Sequence, residues 1–179
     1  MTIALFGGSF DPPHLGHVLA AVSARCLAGV DAVWVLPVAK HPYAKALSPW
    51  EQRWELCKAA FTPLGAWVQV RDDELRNTSG FTFDLVTRLR AENPGNRWAL
   101  IGGSDTAADL PNWHRGNELA KLVEVIAIPR RSQGGDQSPA ALPAISSSRI
   151  RTTLASGEAV GDQLPEAVAA LIAQHGWYR

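Results

Sequence analysis

The stretch Ile3 to His17, reading Ile-Ala-Leu-Phe-Gly-Gly-Ser-Phe-Asp-Pro-Pro-His-Leu-Gly-His, constrains the fold more than any other part of the chain. An apolar run from Ile3 to Phe6 stops at Gly7 and Gly8, passes Pro12 and Pro13, and gives way to an amphipathic segment from Leu15. This reads strand, loop, helix. Glycines let the backbone approach a ligand, and the first N–H groups of a helix lack internal partners and sit at the positive end of its dipole. The junction therefore favours a phosphate. His14 and His17, three residues apart, fall on one side of the helix start, where N–H donors or imidazolium groups could meet charge developing on a phosphoryl group.

The rest of the chain repeats the pattern of that first unit. Leu15 to Ala28 carries Val18, Leu19, Val22, Cys26 and Leu27 at helical spacing and stops at Gly29; Ala32 to Leu36 is a continuous apolar run closed by Pro37. Strand, helix, strand is the right-handed parallel crossover. The loop 38–48 follows the second strand and holds Lys40, His41 and Lys45. Ligands of open α/β sheets lie beyond the carboxyl ends of strands, so this loop should face Gly7 and Gly8, although a solvated loop is equally compatible with the sequence.

Ser48-Pro49-Trp50-Glu51 has the look of a capping box with Ser48 as N-cap, and Arg53 on the following helix could reach the loop before it but reads rather as part of a solvated face. Further strands are expected at Trp67 to Val70, Trp98 to Ile101 and Val123 to Ile128, with a polar connection at Asp72-Asp73-Glu74 and helices after Thr82 and from Pro165 to His175. Thr82, taken bare, is an N-cap. Gly102-Gly103-Ser104-Asp105 ends a strand with small residues and a carboxylate, suited to a sugar hydroxyl or to capping the next helix. Trp113 after Pro111 must pack on something, core or ligand. A Ser, Gly, Gln and Pro-rich segment after Arg130-Arg131 reads as a loop.

Ile145-Ser146-Ser147-Ser148-Arg149-Ile150-Arg151 opens a second helix with hydroxyls and free N–H groups, and Arg151 adds a fork that grips two phosphate oxygens. The 17 basic and 17 acidic residues give a formal net charge of zero, so no global field recruits nucleic acid or an anionic membrane. No basic leader and no membrane-length apolar run appears, which points to a soluble cytoplasmic protein. Cys26 and Cys57 fit buried packing positions, and no cysteine or carboxylate cluster at ligand spacing completes a metal site. At 179 residues, a single α/β domain covering 1–179 is expected, a Rossmann-like doubly wound parallel sheet. Neither Gly-x-Gly-x-x-Gly nor Gly-x-x-x-x-Gly-Lys is present, which disfavours hydride-transfer Rossmann enzymes and P-loop NTPases.

His-Leu-Gly-His after Gly-Gly-Ser-Phe-Asp-Pro, with Ile-Ser-Ser-Ser-Arg-Ile-Arg near the far end, resembles the nucleotidylyltransferase superfamily, and most closely its bacterial nicotinate mononucleotide adenylyltransferases. The family usually has Thr where Ser148 stands, Pro-Pro-His-Lys near His41 to Lys45, and Gly-Ala-Asp near Gly102 to Asp105. The resemblance implies adenylyl transfer from ATP to nicotinate mononucleotide, giving deamido-NAD and pyrophosphate, with Mg²⁺ accompanying ATP. It implies that His14, His17 and Arg151 are catalytic and that Gly7, Gly8, Ser9, Lys45, Asp105, Ser146 and Ser147 bind ATP. Thr82 and Trp113 would take the pyridine mononucleotide. Related transfers to nicotinamide mononucleotide or pantetheine phosphate, and a non-catalytic nucleotide sensor, are the alternatives; oligomeric state, a homo-oligomer included, is left open by the sequence.

Overall fold

The computed structural model describes residues 1–40, 46–129 and 141–179. Five strands form one parallel sheet: β1 (Thr2–Gly8), β2 (Ala32–Pro37), β3 (Val68–Val70), β4 (Arg97–Gly103) and β5 (Glu124–Ile128), in spatial order β3-β2-β1-β4-β5. The order reverses between β1 and β4. A crevice opens at such a switch point because the connections on either side leave in opposite directions.

Alternation along each strand assigns the two faces. Ala4, Phe6, Val33, Val35, Ala99 and Ile101 point one way, into a core shared with α1 (Leu15–Leu27), α2 (Trp50–Phe61), α6 (Ser147–Ala155) and α7 (Glu166–His175). Ile3, Leu5, Trp34, Leu36, Trp98 and Leu100 point the other way, against α3 (Thr82–Glu92) and α5 (Gly116–Leu122). Both faces of β1, β2 and β4 are thus covered, which is why those strands read as unbroken apolar runs. A short helix α4 (Ser104–Asp109) leaves the end of β4 directly. Gly116 is required where α5 starts, because a Cβ there would lie 2.0 Å from the Leu110 carbonyl oxygen.

Several local expectations are corrected by packing. Cys26 is exposed, while Cys57 is buried as expected. The N-cap of α2 is Pro49, and Ser48 instead presents its backbone N–H to Asp11 and its carbonyl to Arg53. Thr82 is the first helical residue of α3 behind the N-cap Phe81, and Gly103, not Ser104 or Asp105, caps α4. Arg53, expected in solvent, is 1% exposed. Its Nε donates to Ser48 O at 2.9 Å, Nη1 to Ser9 O at 2.8 Å and Nη2 to Val38 O at 2.8 Å. Three carbonyls left over from three loops thus gather on one guanidinium, whose five donors in a fixed fork suit that task.

Candidate active site

The loop after β1 is pinned from several directions. Asp11 is 2% exposed. Its Oδ1 accepts from the Tyr178 hydroxyl at 2.8 Å and its Oδ2 from the Ser48 N–H at 3.1 Å. Burial, followed by the Asp11 charge and hydrogen bond, pushes the Tyr178 hydroxyl well above its ordinary range, so the phenol stays protonated and donates. Arg53 holds Ser9 from α2. Its guanidinium is lowered by burial but raised by Asp11, and it remains charged.

The two end motifs meet on this loop. Ser147 Oγ donates to Pro12 O at 2.9 Å, across 135 residues, and Arg151 Nη1 donates to Asp11 O at 2.5 Å, with Asp11 Oδ2 3.9 Å away. The first turn of α6, with Ser146 as its N-cap, is thereby fixed beside the loop that leads into α1. Chain entropy opposes bringing such distant segments together, so these bonds and the burial of Ile150 beneath them are what set their separation.

His14 and His17 stack with ring centroids 3.7 Å apart and planes inclined by 25°. His14 is the N-cap of α1 and 6% exposed. The His14 backbone N–H donates to His17 Nδ1 at 3.2 Å. An accepting Nδ1 carries no proton, so the proton of His17 sits on Nε2, and that nitrogen is the donor His17 has for a ligand. Phe10 supports the pair, its ring centroid 4.9 Å from that of His17. Gly16, between the histidines, has a packing reason: a Cβ there would lie 3.0 Å from His14 Cε1 and Nδ1, and 3.8 Å from Ile145 Cβ. A side chain at 16 would force the first imidazole to give by a few tenths of an ångström.

On the other face of the sheet a cavity of about 250 Å³ opens at the β1/β4 switch point. Gly7, Gly8, Thr82 and Trp113 line it, together with Gly102 and Gly103 at the end of β4 and Thr106 of α4. Nothing lies within 4 Å of where a Cβ on Gly7 would be, so this cavity-lining residue borders open space. Trp113 is half-buried, its indole Nε1 donating to Asp109 Oδ2 at 3.3 Å. His114 stacks on Phe81 with centroids 4.2 Å apart.

The expected site residues therefore fall into groups. His14, His17, Ser147 and Arg151 gather around the loop 7–13, and Thr82 and Trp113 share the cavity that Gly7 and Gly8 border. Asp105 is exposed on the first turn of α4 and is not part of the cavity lining. Lys45, with His41, lies outside the described residues. Sequence reasoning missed Asp11, Tyr178 and Glu74, and it gave Arg53 a reach to the loop before it only as the lesser reading. For Asp11 the signal lay in the motif itself, since a carboxylate between Phe10 and two prolines has to find donors once buried.

The cytidylyltransferase-like family model matches residues 5–153, which contain both end motifs, and the chain belongs to that family of nucleotidyltransferases. Its relatives narrow the class. The chain is 41% identical to a protein of Anaeromyxobacter sp. (strain K) named "probable nicotinate-nucleotide adenylyltransferase", over 99% of this chain and 96% of the relative. Proteins of Myxococcus xanthus and Thermus thermophilus carry the same name, at 36% identity (98% and 94% coverage) and 32% identity (100% of both). The fold is also that of Plasmodium falciparum nicotinic acid mononucleotide adenylyltransferase complexed with NaAD, with a TM-score of 0.77, 22% identity, and coverage of 99% of this chain and 97% of that one. The same Plasmodium protein complexed with APC gives a TM-score of 0.79 at 21% identity, over 99% and 96%.

Proposed function

We propose that this chain joins ATP to nicotinate mononucleotide, forming deamido-NAD and releasing pyrophosphate. The observation that carries the reading is the meeting of the two end motifs on one glycine-led loop, next to a cavity that holds a half-buried tryptophan and a threonine. That arrangement offers donors for a polyphosphate on one side and an aromatic wall for a ring on the other.

In the reaction, an oxygen of the mononucleotide 5′-phosphate forms a bond to the α-phosphorus of ATP, and the bond from that phosphorus to the α–β bridging oxygen breaks. The nucleophile is already anionic at neutral pH, so no side chain need remove a proton, and catalysis is positioning plus stabilisation of charge. His17, through Nε2–H, and His14 donate to the transferring phosphoryl group. Gly7, Gly8 and Ser9 let the backbone approach it. Ser146, Ser147 and the start of α6 face the β and γ phosphates, and Arg151 exchanges its bond to the Asp11 carbonyl for one to the leaving pyrophosphate. Lys45 adds charge from the loop after β2, and Asp105 accepts from the nucleoside. Trp113 stacks on the pyridine ring, with Thr82 beside it.

Among the described residues, no three His, Cys, Asp or Glu side chains are placed to hold a metal ion. Mg²⁺ enters with ATP as part of the substrate, shared among polyphosphate oxygens, and no side chain is assigned to it. No helix of the described residues is long and apolar enough to cross a membrane. The proposed location is the cytoplasm, where ATP is at hand for such a transfer. The test is pyrophosphate release from ATP with nicotinate mononucleotide, nicotinamide mononucleotide or phosphopantetheine as acceptor. Turnover with the pyridine nucleotides and none with phosphopantetheine is expected. Turnover confined to phosphopantetheine, or absent with all three, would overturn the proposal.

A further inference from the structure

Glu74 is the one acidic residue among the described residues that line the cavity beyond Gly7. It belongs to the short 3₁₀ turn Asp73–Arg76 and is 5% exposed. Its neighbour in sequence shows what a buried carboxylate normally needs. Asp73 accepts from Arg71 Nε at 2.7 Å and Arg76 Nη2 at 2.9 Å, and Arg88 Nη2 reaches its carbonyl at 2.8 Å. Burial pushes that carboxyl up, but those arginines hold it below the ordinary carboxylate range. Glu74 has no such arginine contact among the described residues. Its Oε2 accepts from Asn77 Nδ2 at 2.9 Å.

Burial, opposed by Asn77 and Arg88 and reinforced by Asp73, pushes the Glu74 carboxyl up to about 7. Of the charged groups around it, Arg71, Arg76 and Arg88 are engaged by Asp73, with Glu92 also on Arg76 and Arg88. His114 is the other titratable side chain of the described lining. Glu74 is thus a buried acid in the lining of the cavity where the pyridine ring is proposed to sit, paired to Asn77 and not to an arginine among the described residues.

Resting on that placement of the ring, we infer that Glu74 sets the choice between an acid and an amide at the pyridine substituent. As a neutral acid it donates its O–H to a nicotinate carboxylate. As a carboxylate it repels that group and accepts an N–H of a carboxamide. Both forms are needed for the argument: the proton that favours one substrate is the one whose loss favours the other.

The experiment compares kcat/KM for nicotinate and nicotinamide mononucleotides from pH 5.5 to 8.5 at saturating ATP. The substrates share ring charge, ribose and phosphate, so titrations common to both cancel in the ratio. The acid-to-amide ratio should fall about a hundredfold between pH 6 and 8, because for a group near 7 the protonated fraction that favours the acid falls about tenfold while the ionised fraction that favours the amide rises about tenfold. Glu74→Gln should flatten the ratio to within about twofold, whereas His114→Gln should keep the fall. A flat wild-type ratio, a fall that survives Glu74→Gln, or a fall lost only in His114→Gln overturns the role of Glu74 while leaving the reaction in place. No pyrophosphate from either mononucleotide would instead sink the reaction and this inference together. If Glu74→Gln does not fold, calorimetry of the wild type near pH 7 in two buffers of different ionisation enthalpy decides. Proton uptake with nicotinate mononucleotide relative to nicotinamide mononucleotide supports the role, and equal proton counts refute it.

Discussion

Arg53→Met removes a buried charge and three donors at once while keeping most of the apolar stem. The three bonds, at 2.8 to 2.9 Å, run from a charged donor to the carbonyls of Ser9, Val38 and Ser48. Hydrogen bonds to charged groups contribute about 1.5–3 kcal/mol each, so their gross loss is roughly 5–9 kcal/mol. Against this, the folded protein no longer carries the several kcal/mol needed to desolvate a guanidinium. Three buried carbonyls left without their donor tip the balance, and the expected net loss is about 3–5 kcal/mol, the range for breaking one side of a buried charged interaction. For a chain of this length that is a fall in Tm of roughly 6–20 °C. Urea unfolding would measure it, with an unchanged m-value showing that the unfolded state is the same. Because the same guanidinium ties Ser9 to Val38, turnover should also fall in protein that remains folded. A loss under about 1 kcal/mol with m unchanged would refute the reasoning.

Other perturbations separate stability from function. Glu74 has its carboxyl raised in the folded state from an ordinary 4.5 to about 7. The stability this contributes is full below about 4.5 and is lost as pH rises through about 7, a difference of about 3 kcal/mol. Urea titrations at pH 5 and 8 should therefore show Glu74→Gln less sensitive to this change than wild type by about that amount; equal sensitivities would contradict the raised carboxyl. Tyr178→Phe removes one hydroxyl from Asp11 Oδ1 and should cost about 1.5–3 kcal/mol by urea unfolding, and a neutral effect would mean the bond is not made. Gly7→Ala meets no atom within 4 Å, so it should leave unfolding within about 0.5 kcal/mol of wild type while raising KM for the substrates; unchanged kinetics would show that no substrate uses the open space beside Gly7.

Much of the fold was legible because each buried strand announces itself as an apolar run and each helix keeps its period. The paired imidazoles were legible too, since residues 14 and 17 on a helix start can only lie side by side. What escaped depends on partners that no local window contains. Arg53 looks solvated at helical spacing, and its burial follows only once loops at 9, 38 and 48 converge on it. Tyr178 finds Asp11 across 167 residues. Asp73 and Glu74 read together as a polar connection, yet one faces a set of arginines and the other a cavity. Cys26, at an apolar spacing, ended on the exposed side because α1 covers the sheet with Ala20, Ala21 and Ala24.

The central claim is that the imidazoles of His14 and His17 and the serine-led start of α6 act on one polyphosphate. It is tested most directly by steady-state pyrophosphate release from ATP and nicotinate mononucleotide in His17→Ala, with circular dichroism and urea unfolding confirming a native fold. Removing a donor that acts in the transition state should lower kcat on the order of a hundredfold or more. A folded His17→Ala protein turning over near the wild-type rate would contradict the account.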